Sequence, residues 1–197
     1  MDDLYRTIES VSTGLYKEKG SKFLSFAYHV ESEEEVREIL HHLKNKYFDA
    51  RHFCYAYYLD PYREVYRIND DGEPSSTAGR PIQGQILSHD LTEILIVVVR
   101  YFGGIKLGVP GLINAYKSAA ADAIANATVC EKTVRAFFDI EFDYLVMDRV
   151  MKLIKEMDIQ VHSRKFENIC NMKLSVRLSD SEHLKERLEK IETLSIK

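Results

Sequence analysis

The sequence predicts an α+β protein built from two modules, a larger front module of β-α-β-α order and a smaller ferredoxin-like rear module. The central signal is the six-residue apolar run Ile94–Val99, which is followed by a glycine-rich loop and a helical pattern. Such a run is typical of a strand buried on both faces. Every glycine and every proline lies at or before Gly111, and beyond about residue 130 the patterns follow the order β-α-β-β-α. We therefore predict a front module at 1–130 and a rear module, a split βαβ sheet, at 131–197.

The front module begins with two predicted strands, at 7–17 and 23–30. The turn between them carries Lys17, Lys19 and Lys22, which we interpret as a solvated hairpin tip. Ser32 and Glu35 then have the spacing of a helix-capping box, and apolar residues recur at helical spacing after them. The remaining predicted elements before the central strand are a strand at 52–59, a short strand at 64–68 and a loop at 69–80 that is rich in hydroxyls and acids.

The rear module has a cleaner periodicity. A strand at 134–142 alternates apolar and mostly polar residues, which indicates one buried and one open face. It is followed by a helix at 146–157, strands around 159–161 and 170–178, a second helix at 184–191 and a short last strand at 194–196. This order places two helices on one face of a sheet.

Composition places the chain among ordinary globular proteins. It has 197 residues, 45% of them hydrophobic, and a net charge of −4. That charge disfavours a protein that coats nucleic acid by bulk electrostatics, so any such contact needs a local cationic patch. There is no signal-peptide pattern and no apolar run near the roughly twenty residues of a membrane span, so we expect a cytoplasmic protein with no membrane partner. Cys54, Cys130 and Cys170 lie far apart, which favours reduced thiols over disulfides or a cysteine zinc site.

The glycine loop after the central strand is a candidate phosphate site. Gly103 and Gly108 have the spacing of a nucleotide-binding loop, but Val109 and Pro110 stand where that motif needs lysine and a hydroxyl residue. Nucleoside triphosphate binding is therefore disfavoured. Backbone N–H groups near a helix start can still hold a phosphate of another kind, assisted here by nearby cations. The alternative is that the glycines serve tight-turn geometry alone.

A second candidate lies where a strand and the acidic loop could meet. His52 and Cys54 share a strand face and acids follow in the loop, so a Cys-His nucleophile pair or a small metal site can be drawn. A packed histidine beside a buried thiol is the alternative. The loop hydroxyls either donate to an anion or cap the loop's own backbone. We assign no catalytic or metal-binding residue, and we expect one anion- or nucleic-acid-binding site formed by Arg51, His52, Asp70, Asp71, Glu73, Ser75, Thr77, Arg80, Arg100, Gly103, Gly104 and Lys106.

The open face of the rear sheet carries cations and an aromatic ring. Single-stranded RNA stacks on exposed sheets of this kind in other ferredoxin-like modules. The specific RNA-binding sequence motif is absent, and an uncovered sheet face must be polar in any case, so a merely solvated face is the alternative. The candidate RNA-contact residues are Arg135, Phe137, His162, Arg164, Lys173 and Arg177.

Three separated segments resemble a known family. RYFGGIKLG at 100–108, DARHFCYAY at 49–57 and DDGEPSSTAGRPI at 70–82 resemble segments of the IMPACT family, also called the YigZ family, and occur in the same order. The resemblance implies a front domain similar to the second domain of a small-subunit ribosomal protein, and a rear domain similar to the fifth domain of elongation factor G. The chain departs from its relatives at Pro110 and Asn114, where glycine and arginine are common, and at Ser76, where many have glycine.

The resemblance also implies a function. Eukaryotic members regulate translation, so we predict a non-catalytic protein linked to translation, which binds ribosome, RNA or a protein of the translation apparatus and needs no cofactor. Eukaryotic relatives contain a further RWD domain that contacts a protein partner. We do not predict that partner for this chain. The alternative function is a small-molecule or metal-dependent hydrolase with a site at His52, Asp70, Glu73 and Lys106.

Overall fold

The computed structural model describes residues 3–197, which form two compact units. The front module comprises Tyr5–Lys132, and the rear module comprises Thr133–Lys197 with residues 3–4. Among the described residues, the front module has two hydrophobic core clusters and the rear module has one. Within residues 3–197, no helix is both long and apolar enough to cross a membrane.

The front module is built on a five-stranded antiparallel sheet. Its elements, in chain order, are β1 (Leu4–Ile8), β2 (Ser12–Glu18), β3 (Ser21–His29), α1 (Glu33–Lys46), β4 (His52–Tyr58), β5 (Tyr66–Asn69), α2 (Gly79–Ser88), β6 (Ile94–Tyr101), α3 (Gly108–Ala125) and β7 (Val129–Thr133). The strand order of the main sheet is β2-β3-β6-β4-β5, and β1 and β7 form a separate two-stranded sheet.

The central strand β6 is buried, as its apolar run predicts. Ile94–Val99 have no exposed surface, because α2 and α3 cover one face of the sheet and α1 covers the other. Small side chains let α3 lie close to the sheet, and its alanines Ala119 and Ala120 are fully buried. At the start of α1 the Ser32 side chain accepts a hydrogen bond from the Glu35 N–H at 3.3 Å, so the Ser32 half of the predicted capping box is confirmed. The Glu35 carboxylate accepts from the Glu31 N–H at 2.8 Å, one residue before the position that a capping box uses.

The strand predicted at 7–17 is wrong, because the structure has two strands there. β1 ends at Ile8 and pairs with β7, and the Glu9 N–H continues that pairing by donating to the Thr128 carbonyl at 2.9 Å. The chain then enters the main sheet at Ser12. A single continuous strand could not serve both sheets. The pairing partner β7 was itself not predicted, since it is short and only half-buried.

Helix α2 was also not predicted from the sequence. Its ten residues include Gly79, Pro81 and Gly84, a composition more typical of a loop. The helix begins here because the Asp70 carboxylate accepts hydrogen bonds from the Ala78 and Gly79 N–H groups at 3.0 and 2.8 Å. This cap lies eight to nine residues upstream, so it leaves no local sequence signal.

The rear module has the predicted ferredoxin-like connectivity. Its elements are β8 (Arg135–Asp143), α4 (Met147–Glu156), β9 (Gln160–Lys165), β10 (Ile169–Arg177), α5 (Ser181–Leu188) and β11 (Ser195–Ile196). The strand order is β11-β8-β10-β9, with antiparallel neighbours. Residues of both helices pack with inward-facing strand residues such as Ile140 and Leu174 in one core, so both helices lie on the same face of the sheet. The α+β fold class is therefore confirmed.

Candidate functional site

The front module brings four segments to one edge of its sheet, which we call the loop edge. They are the start of β4, the loop at 70–78, the loop at 102–107 and the turn between β2 and β3. Strand register explains the meeting, because His52 of β4 and Phe23 of β3 are the two cross-strand neighbours of Arg100. The start of β3, the end of β6 and the start of β4 therefore lie side by side.

Direct contacts hold the loops against this edge. The His52 ring donates from Nδ1 to the Asp71 carbonyl at 2.8 Å, which fixes the 70–78 loop on β4. Gly103 lies so close to the β2–β3 turn that a Cβ would overlap the Gly20 carbonyl carbon. Its N–H also donates to Ser21 Oγ at 3.1 Å. Most of the segments that the sequence singles out for a site therefore lie at the loop edge.

Arg100 is inside the loop edge rather than on it. Its guanidinium forms an ion pair with Glu73, and the two side chains are only 7% and 4% exposed. Tyr116 Oη donates to the same Glu73 carboxylate at 2.8 Å. The guanidinium carbon lies 5.3 and 5.6 Å from the ring centres of Phe23 and Phe102. The charges of Arg100 and Glu73 thus neutralise each other beneath the loops.

The two aspartates of the 70–78 loop also face inward. Besides capping α2, Asp70 accepts from the Ser76 N–H at 2.8 Å, and the Asp71 carboxylate accepts from the Phe53 N–H at 2.6 Å. Thr77 donates from Oγ1 to the Pro74 carbonyl at 2.7 Å. These contacts favour the interpretation that the loop's acids and hydroxyls bind its own backbone. Ser75, in contrast, is exposed.

Cys54 is poorly placed to act as a nucleophile. It has no exposed surface, and its Sγ contacts the Asp70 carbonyl at 3.0 Å and Tyr116 Oη at 3.3 Å. Burial raises the pKa of the Cys54 thiol far above its usual range, so the thiolate that nucleophilic chemistry needs is suppressed. The Nδ1 of His52 is committed to a backbone carbonyl. The packed-thiol alternative therefore describes this pair better than a Cys-His nucleophile.

Three predicted site cations remain at the surface of the loop edge. Arg51 precedes β4, Arg80 lies in the first turn of α2, and Lys106 lies in the 102–107 loop, and all three are exposed. In the part of the chain that the structure describes, none of them forms an ion pair. The β2–β3 turn, which contacts the glycine loop, adds three further exposed cations to this surface, namely Lys17, Lys19 and Lys22. From the sequence these lysines are predicted to form a solvated hairpin tip.

The glycines of the 102–107 loop serve its geometry. Gly104 has φ of 88° and Gly108 has φ of 72°, a left-handed conformation that disfavours other residues. Among residues 3–197, no side-chain cap is found at the start of helix α3, whereas Asp70 caps α2. Asn114, which stands where relatives commonly have arginine, donates from Nδ2 to Tyr16 Oη at 3.1 Å. The tight-turn interpretation is supported, and the uncapped α3 start leaves its N–H groups open to an anion.

A separate polar cluster in the front module was not predicted from sequence. His29 Nε2, Glu31 and Glu93 present ligand atoms within 4.8 Å of one another, an arrangement that could hold a metal ion. The Lys132 ammonium lies among them, 2.8 Å from His29 Nε2 and 3.4 and 3.7 Å from the two carboxylates. Tyr5 Oη donates to Glu93 at 2.8 Å, and burial raises the pKa of the Glu93 carboxyl. The lysine therefore supplies the cation for this cluster and ties β7 to the sheet.

The rear module presents an aromatic ring on its open sheet face. Phe137 is 57% exposed, with the His162 ring centre 5.2 Å and the Lys173 Nζ 5.6 Å from its own ring centre. Arg135 donates from Nε to Ser175 Oγ at 2.9 Å, and His162 Nε2 lies 2.7 Å from the same oxygen. These four predicted RNA-contact residues are thus brought together on one face.

The other two predicted RNA-contact residues are placed differently. A β-bulge in β9 shifts the register at His162, so Arg164 pairs with the core residue Met172. Its predicted place on the open face is therefore wrong, since an inserted residue reverses the alternation beyond it. Arg177 lies on the strand opposite Arg135 and forms an ion pair with Asp3 at 3.0 Å.

The fold and the loop edge define an α+β protein of two modules. The acidic side chains of its 70–78 loop bind groups within the front module, and the cations of the loop edge other than Arg100 are exposed. The sequence profile described as the Impact N-terminal domain matches residues 19–124. Because this match covers more than half of the chain, the protein belongs to the IMPACT family, as its sequence segments predict.

Curated relatives extend the match beyond the front module. The IMPACT family member of Haemophilus influenzae is 32% identical over 82% of this chain and 79% of its own length. YigZ of Escherichia coli is 28% identical over 80% and 78%. YvyE of Bacillus subtilis is 33% identical over 69% of this chain, which spans 63% of the YvyE length. A crystal structure of a hypothetical protein covers the whole chain at 23% identity with a TM-score of 0.76, and this likeness supports the fold.

Proposed function

We propose that the protein is a non-catalytic regulator linked to translation, and that its loop edge binds the phosphate backbone of RNA, free or within the ribosome. The observation that supports this most is the distribution of charge at the edge. Glu73 is neutralised by Arg100 and Asp70 caps a helix, while Arg51 and Lys106 remain exposed and unpaired among the described residues. Exposed cations beside open backbone N–H groups are the features that contact phosphate. The link to translation rests on membership of the IMPACT family and on what that resemblance implies.

The hydrolase alternative has less support. It needs an ionisable nucleophile or a set of free ligands at His52, Asp70, Glu73 and Lys106. The His52 Nδ1, the Asp70 carboxylate and the Glu73 carboxylate are instead engaged in hydrogen bonds or an ion pair within the fold. Asp70 and Glu73 therefore stabilise the fold, and a hydrolase that used them in catalysis would need to break these contacts.

Binding of an unstructured RNA oligonucleotide tests the proposal. The test variant is Arg51→Gln with Lys106→Gln, and the control is Arg37→Gln with Lys117→Gln, which removes the same charge from exposed helix positions. Lys117 lies nine residues into α3, roughly 13 Å along the helix axis. We expect the test variant to lose roughly tenfold in affinity near 0.1 M salt, and the slope of log K against log salt to fall in magnitude by about 1.4, since each phosphate contact on a single strand contributes about 0.7.

The control should retain most of the affinity and slope of the unchanged protein. Sedimentation with ribosomal subunits at low salt, using the same three proteins, then connects the edge to translation. If the unchanged protein binds neither RNA nor subunits, or if the test and control variants lose equal affinity, the proposed function is wrong.

A further inference from the structure

The geometry points to a nucleotide-binding site on the open face of the rear sheet. We propose that one base of a single-stranded RNA stacks on Phe137 while an adjacent phosphate lies against Lys173. The choice of RNA as the ligand rests on the proposed function above. The site itself is distinct from the loop edge, since it belongs to the rear module.

Phe137 has the properties of a stacking platform. Its ring is mostly exposed at a central position of β8, although burial inside a core would be its usual environment. The strand partner Ser175 has no exposed surface and lies within hydrogen-bonding distance of both Arg135 and His162. The groups that flank the ring are therefore fixed before a ligand arrives, which lowers the ordering cost of binding.

The adjoining surface has the charge that a phosphate needs. A concavity of about 170 Å³ adjoins Lys173, and its lining is mostly polar and charged, with parts of the core residues Ile140 and Met172. Its cations include Lys165, Lys173 and Lys197. Lys165 is paired with Glu167, and Lys197 with Glu141. Lys173 forms no ion pair among residues 3–197, and its contact with the Phe137 ring leaves its ammonium able to meet a phosphate. Lys173 therefore links the stacking surface to the concavity, whereas Arg164, which also lines the concavity, lies on the core side of β9.

The same surface carries an acid that favours RNA over other ligands. Asp139 lies opposite Lys173 on the neighbouring strand, lines the concavity and is exposed. A carboxylate repels a second phosphate but accepts a hydrogen bond from a ribose 2′-hydroxyl, which DNA lacks. A duplex offers no free base for stacking. A protein partner would need more apolar area than Phe137 and, farther along the same face, Ile169 provide. The combination of ring, lysine and carboxylate thus matches a single-stranded ribonucleotide.

A tryptophan probe can read stacking directly. The chain contains no tryptophan, so Phe137→Trp creates a unique emitter on the platform. We expect titration with a short oligouridine or oligoadenine to quench its fluorescence in a saturable way, and inorganic phosphate alone to leave the emission unchanged. Quenching by the equivalent DNA should need a higher concentration. An emission unchanged by saturating RNA would overturn the proposal.

Affinity measurements on the full chain provide the second arm. Phe137→Leu keeps an apolar side chain, and we expect it to weaken RNA binding by about five- to a hundredfold, the range for loss of one stacked base. Tyr144→Leu is the matched control, because Tyr144 is also exposed but follows the end of β8. Lys173→Gln should reduce the salt slope by about 0.7. Circular dichroism confirms that each variant is folded.

The outcomes separate this inference from the proposed function. The loop-edge variant is Arg51→Gln with Lys106→Gln. If it loses RNA affinity while Phe137→Leu and Tyr144→Leu both bind as the unchanged chain does, the rear site is wrong and the loop edge stands. If Phe137→Leu weakens RNA binding while the loop-edge variant does not, the rear site stands alone. If Phe137→Leu instead impairs only the binding of a protein of the translation apparatus, the face has a protein occupant and the nucleotide site is refuted.

Discussion

Replacing Glu73 by glutamine should destabilise the front module more than any exposed charge change. Both Glu73 and Arg100 are more than nine-tenths buried, and the glutamine keeps an acceptor for Tyr116 while removing the negative charge. Arg100 is then left as a buried cation without a counter-charge. Breaking a buried ion pair in this way costs about 3–5 kcal/mol. Because a typical domain has only about 5–15 kcal/mol of stability, this loss is a large fraction of the total.

Urea unfolding followed by circular dichroism measures the loss. The control is Glu34→Gln, which removes the partner of Arg37 in an exposed pair at 3.9 Å and should cost about 0–1 kcal/mol. A double replacement, Glu73→Leu with Arg100→Met, removes both buried charges and should be far less harmful than Glu73→Gln alone. In the structure as described, Arg100 Nε is buried without a hydrogen-bond partner, so the native pair is itself imperfectly satisfied.

Two results would refute this reasoning. A loss below about 1 kcal/mol for Glu73→Gln, equal to that of the exposed control, would mean that water solvates Arg100 in the native protein. A double replacement as damaging as the single one would mean that the packing of the two side chains matters more than their charges.

Three further predictions concern particular residues of the front module. Because burial raises the pKa of the Cys54 thiol, little Cys54 thiolate exists at pH 8, and iodoacetamide should label the half-buried Cys130 first. Mass spectrometry of peptides measures the labelling, and equally fast reaction of Cys54 in the native protein would contradict this prediction. Gly103→Ala forces a Cβ into the β2–β3 turn and should cost about 1–3 kcal/mol in thermal or urea unfolding. A Cβ at Gly84 meets no atom of residues 3–197 within 4 Å, so Gly84→Ala should be neutral or stabilising, and equal effects of the two changes would count against the close contact. Ser76→Gly relieves a φ of 65° and should stabilise by up to about 1 kcal/mol, and a lower melting temperature would be the contrary result.

Those parts of the fold that depend on local pattern could be predicted from the sequence. The apolar run of β6, the glycine turn and the helix α3 follow one another along the chain, so periodicity and turn chemistry are sufficient. The rear module was predictable for the same reason, down to the short strand β11. The helix α2 was not, because its start depends on a cap that the 70–78 loop supplies through space.

For the candidate site, the sequence predicted which segments meet but not which side chains contact one another. The sequence indicates that the glycine loop, the acidic loop and the start of β4 could meet, and strand register brings them together. It does not indicate that Arg100 pairs with Glu73, which is 27 residues away. Nor does it show the bulge at His162 that redirects Arg164. Both facts depend on register and burial, which no local spacing encodes.

The bulge in β9 has a consequence for self-association. β9 and β11 are the two outer strands of the rear sheet, and all six residues of β9 are exposed. Past the bulge, Arg164 and Lys165 point to opposite sides of the strand, so a strand from another molecule would meet a positive charge whichever side it packed on. Bulges and charged side chains on outer strands are known to block the growth of continuous sheets between molecules. The β9 edge of the rear sheet should consequently resist the addition of strands from other molecules even at high concentration.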